Sequence, residues 1–203
     1  MKRQLIAGAI YIATTMNTAH AGVSAEFMLG NKSSTLDTKY SGELASKTMF
    51  YGRNRTTLAY NKEISTFFVG DIAYAITGGF DAVAEVQAAP DMGVVPRLGI
   101  EYFTQENDIT FFGELSGKVA ENPNAELTLR LTYTPALGKN IPGFGQLETI
   151  TDVSFTGHEW STERLKIGVG NNGYVLGGAV DLVQLGNSIA TTLNYGLFVV
   201  KTF

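Results

Sequence analysis

Residues 193–203, Leu-Asn-Tyr-Gly-Leu-Phe-Val-Val-Lys-Thr-Phe, alternate large apolar side chains (Leu193, Tyr195, Leu197, Val199) with a second face of Asn194, Gly196 and Phe198, and they run to an aromatic residue at Phe203. A strand has a side-chain period of two, so this spacing predicts a strand with one face turned to lipid or to a core all the way to the carboxylate. The same rhythm is clearest over 125–133. There Leu127, Leu129, Leu131 and Tyr133 share one face, and Glu126, Thr128, Arg130 and Thr132 share the other.

Working outward, comparable runs occur at 23–30, 48–60, 66–77, 80–89, 95–105, 109–119, 145–156, 162–171, 174–184 and 188–203. Each has about the length of a strand that crosses a bilayer at a tilt. Turn signals separate them. Asn171-Asn172-Gly173 reads as a hairpin because Asn and Gly accept positive φ, and 121–124 and 185–187 punctuate in the same way. A less regular stretch, 34–44, supplies a twelfth run, which gives the even number that a single-chain bacterial barrel needs. No helical period of any length appears beyond the first residues.

At the N-terminus, Lys2 and Arg3 precede an apolar stretch over 5–13 and then Ala19-His20-Ala21. That order predicts a secretory signal peptide over 1–21, cut before Gly22, and a single domain over 22–203. The apolar stretch is too short for a spanning helix. Removing Lys2 and Arg3 makes the chain more acidic than the −4 of the full sequence, which disfavours nucleic acid as a partner. With no cysteine, an exported chain has neither a disulfide framework nor a thiolate metal site. Since no later segment is long enough for a transmembrane helix, the membrane option is a barrel.

The C-terminal residues Tyr195, Leu197, Val199 and Phe203 resemble the final strand of bacterial outer-membrane β-barrel proteins. That strand commonly ends in Phe after alternating hydrophobic positions and is read by the insertion machinery. Lys201 departs from the pattern, standing where the family usually has a hydrophobic residue. Its stem can lie along apolar atoms while the ammonium reaches water. The resemblance implies a Gram-negative outer-membrane protein whose partners are outer-membrane lipids, periplasmic chaperones and the barrel insertion machinery. The expected fold is therefore all-β, an antiparallel up-and-down transmembrane β-barrel of about twelve strands, with ten as the alternative. A secreted sandwich or lipocalin-like binding protein, with the apolar face inward, is the competing architecture.

In a barrel, function lies on the inward face and in the loops. The lumen-lining candidates are Arg53, Arg55, Glu85, Arg97, Glu101, Glu114, Glu126, Arg130, Glu148 and Asp152, joined by Glu26, Asp81, Lys118 and Asp181. Both signs are intermixed, so these groups either pair across the interior or line a water-filled path. Arg53 and Arg55 point the same way about 7 Å apart, suited to an anionic group or to pairing with Glu101 or Glu114. Aromatic residues near strand ends (Phe50, Tyr51, Tyr60, Tyr102, Phe103, Tyr133, Phe155, Trp160, Tyr174, Tyr195) suit interface girdles.

Catalysis has less support. His158 is the only histidine after residue 21, and its neighbours Glu159 and Ser161 point in different directions on a strand or turn. No catalytic residue is assigned, although a lipid-modifying enzyme is the alternative class. The acids are scattered singly instead of grouped in a calcium loop, and Gly168-Val-Gly170 opens no helix, so neither a metal nor a cofactor is expected. Connections look short, which disfavours large partners and leaves small solutes. The reading is a narrow small-solute channel or a structural barrel with a charged lumen.

Overall fold

The computed structural model describes residues 22–90, 92–119, 122–138, 141–186 and 191–203. The predicted signal peptide over 1–21 lies outside the described residues. The strands are β1 (Gly22–Gly30), β2 (Ser33–Ala45), β3 (Thr48–Ala59), β4 (Ile64–Thr77), β5 (Phe80–Ala89), β6 (Gly93–Glu106), β7 (Ile109–Lys118), β8 (Asn124–Tyr133), β9 (Ala136–Gly138), β10 (Ile141–Ser154), β11 (Gly157–Asn171), β12 (Tyr174–Leu185) and β13 (Thr191–Thr202). Each pairs antiparallel with its neighbour in sequence, except that β8 pairs with β10 and the short β9 lies outside the wall against the start of β10. The wall therefore has twelve strands.

Closure comes from the stretch quoted first. β13 pairs with β1 from Ser24 opposite Thr202 to Gly30 opposite Gly196, and the Phe203 amide donates to the Val23 carbonyl at 3.0 Å. A closed barrel leaves no edge strand, which is what a bilayer demands of a sheet. Both ends of the described chain lie at one rim, here called the terminal rim.

The alternation reads outward-apolar and inward-polar. Ile167 is 64% exposed, whereas its neighbour Lys166 is 2% exposed. A soluble sandwich would show the reverse, so the apolar face is the lipid face. Inside, an apolar cluster of Met28, Phe144, Val175, Ala179 and Phe198 fills one side of the lumen, with Phe144 and Phe198 ring centroids 5.9 Å apart.

Local chemistry explains the turns. Asn172 and Gly173 take φ of 48° and 78° between β11 and β12, the pair of positive values that a two-residue hairpin turn requires. Gly78 and Gly79 do the same between β4 and β5. The less regular stretch 34–44 lies in strand β2, between the turns Asn31-Lys32 and Ser46-Lys47. Likewise, 136–144 holds β9 and the first residues of β10.

The girdle expectation holds in part. Phe80 and Tyr102 stack at 4.7 Å, Tyr102 and Phe111 lie 6.3 Å apart, and Tyr133 and Tyr174 are exposed at the same rim. Tyr51, Phe103 and Trp160 are corrections, because their strand parity turns them into the lumen, where all three line its cavities. Lys201 sits with its Nζ 4.0 Å from the Tyr174 ring centroid, a cation on an aromatic face at the rim.

Candidate functional site: a charge-divided lumen

Period two on β2, β3, β10, β11 and β12 brings a chain of buried ion pairs together on one side of the interior. Lys166 Nζ reaches Glu26 Oε2 at 2.7 Å. Arg164 Nε reaches Asp181 Oδ1 at 2.6 Å, and its Nη1 lies 3.6 Å from Asp37 Oδ2. Asp37 takes Arg53 Nη2 at 2.6 Å, and the same nitrogen lies 3.3 Å from Glu148 Oε1. Glu148 in turn accepts from Arg130 Nε at 3.0 Å. Arg55 joins through Asp181 at 3.2 Å. Planar guanidiniums, each with several donors, bridge carboxylates from different strands, so the network ties β1–β3 to β8 and β10–β12 across the interior.

The side built from β4–β8 has the opposite character. Asp71, Glu85, Glu101, Glu114 and Glu126 are all buried and line a cavity of about 90 Å³. Asp71 stands directly opposite Glu85, and Glu101 opposite Glu114. Cations approach from the edges: Arg97 Nε is 3.4 Å from Glu85 Oε1 and also donates to Ser116, and Arg130 lines the cavity while bonding Glu148. Toward the terminal rim, Met49, Phe103 and Phe112 give the cavity an apolar floor.

Above the cavity, toward the opposite rim, is a vestibule of about 390 Å³ that shares Arg53, Phe67, Ile150 and Trp160 with it. Arg55, Arg97, Lys118, Thr57, Ser65, Asn124 and Asp152 complete much of its wall. Asp152 accepts both bonds from the Asn124 amide at 2.8 Å.

Every lumen candidate from the sequence lies on the inward face. Arg53 and Arg55 do share a direction, but their carboxylate partners are a correction: Asp37, Glu148 and Asp181 take the places expected of Glu101 and Glu114. Acids that looked scattered are gathered by closure of the wall, since Asp71, Glu85 and Glu114 place ligand oxygens within 4.8 Å of one another. Sequence reasoning missed Asp37, Lys39, Asp71, Gln87, Arg164 and Lys166. Parity was the available signal: Leu165, Ile167 and Val169 face out, so Arg164 and Lys166 must face in.

His158 Nδ1 lies 2.8 Å from the Gly186 carbonyl, while Ser161 Oγ donates to Glu163 and Gln184, so the histidine and serine engage different partners. Tyr195, Leu197, Val199 and Phe203 all face outward on the closing strand.

Fold and lumen together define a closed β-barrel of twelve strands with an apolar outer face and a charged interior. No protein-family model matches the chain, and no curated protein does. Solved structures do. The NanC porin covers 90% of this chain and 99% of its own, with a TM-score of 0.57 at 8% identity. The KdgM porin, in complex with disordered oligogalacturonate, has the same coverage with a TM-score of 0.56 at 12% identity. LpxR from Salmonella typhimurium covers 90% of this chain and 100% of its own, with a TM-score of 0.53 at 7% identity. At such identities the likeness is one of fold.

Proposed function

We propose that the protein is a narrow outer-membrane channel for small solutes. The observation that carries this reading is the stacking of the vestibule of about 390 Å³ on the smaller acidic cavity. Arg55, Arg97, Lys118 and Asn124 line the vestibule beside Phe67, Val95 and Ile150, and the cavity beneath it presents carboxylates over an apolar floor. Rings of acidic side chains bias a constriction toward cations. The floor of Phe103 and Phe112 then sets the conductance.

Planar-bilayer recording of the full chain tests this. Small discrete current steps with cation preference are expected. Phe103→Ala should enlarge the steps, as removal of a ring widens a side-chain constriction, and Glu101→Gln should weaken the preference. A second reading, a purely structural barrel, is favoured by the ion-pair chain and apolar cluster that fill the other side. Folded protein that passes no current, either as wild type or as Phe103→Ala, would establish that reading instead.

A further inference from the structure

We propose that Asp71, Glu85 and Glu114 hold a calcium ion in the lumen cavity. The register sets like charges directly opposite one another twice, Asp71 with Glu85 and Glu101 with Glu114, an arrangement that destabilises a bare sheet. Oxygen atoms of the three ligands lie within 4.8 Å of one another. With Ca–O distances of about 2.3–2.6 Å, oxygens on opposite sides of one calcium are about 5 Å apart, so a single ion touches all three carboxylates.

A second observation points to a ligand. Glu101 is 2% exposed, lines the same cavity, and its Oε1 has no hydrogen-bond partner among the described residues. Asp71 Oδ1 and Glu114 Oε1, on residues 8% and 9% exposed, likewise have no hydrogen-bond partner among the described residues. Buried carboxylate oxygens left in that state are costly, and a hard cation satisfies them. The cavity of about 90 Å³ has room for the ion together with several waters. Donors of this kind, all oxygen and mostly carboxylate, select calcium over the softer transition metals. Binding does not depend on conduction, so the proposal stands apart from the channel reading.

The test is calorimetric titration of calcium into chelator-stripped full chain in detergent, with heat-dependent gel mobility confirming the folded barrel. About one ion per barrel is expected, and Asp71→Asn or Glu114→Gln should weaken binding by about tenfold or more, because affinity follows ligand charge. Glu63→Gln, in the exposed turn between β3 and β4, should bind as wild type. Absence of saturable binding, or unchanged binding by the folded variants, would overturn the proposal. A second measurement leaves the acids intact. Terbium in place of calcium should give tyrosine-sensitised emission that drops in Tyr51→Phe, since the Tyr51 hydroxyl is buried on the same cavity wall. Trp160 lines the same cavity, so emission unchanged in both Tyr51→Phe and Trp160→Phe would place the ion elsewhere and sink the site.

Discussion

Arg53 shows how much a single position discloses. Its inward direction follows from the spacing of Arg53, Arg55 and Thr57, but its partners Asp37 and Glu148 come from strands 16 and 95 residues away in sequence. Removing one partner of such a pair leaves a charge buried without compensation, which costs about 3–5 kcal/mol. Asp37→Ala leaves Arg53 with Glu148 alone and should therefore lower barrel stability by about 3 kcal/mol, the lower end of that range, as read from the urea dependence of the heat-shifted band. Lys201 gives a smaller effect. Its ammonium rests on Tyr174 near the rim, and Lys201→Gln should cost about 0.5–1 kcal/mol in the same assay.

Among the strands, legibility tracked how purely each outer face was apolar. β8 was plain because Leu127, Leu129 and Leu131 are unbroken, whereas β2 mixes Ser34, Leu36, Thr38 and Tyr40 on its outer face. Thr38 there donates to the Asn54 carbonyl and Thr56 meets Thr66, so hydrogen bonds between neighbouring strands replace part of the apolar stripe. Side-chain bulk matters where strands crowd. A Cβ on Gly177 would collide with the Ile167 carbonyl and with Gly168 across the β11–β12 pair. Gly177→Val should destabilise this hairpin by about 2 kcal/mol, the usual penalty for overpacking, and lower the temperature at which the mobility shift occurs.

For the molecule as a whole, the decisive property is which face meets lipid. Ile167→Arg puts a guanidinium on the exposed side of β11, and in a bilayer this should cost about 2–4 kcal/mol if the site lies near the midplane. An equilibrium unfolding measurement in lipid vesicles checks it. A loss below about 1 kcal/mol would place Ile167 near an interface, where the same substitution is tolerated.

Alternation and turn residues were enough to read a twelve-stranded barrel, because strand parity is a local property that each residue carries in its position. Parity also says which charged groups turn inward. It does not say which of them meet. Pairing across the lumen depends on register, tilt and closure, quantities set by the whole wall at once. The division of the interior into a chain of ion pairs on one side and a cluster of carboxylates on the other, with Asp71 beside Glu85 and Glu114, therefore emerged only when the sheet closed on itself.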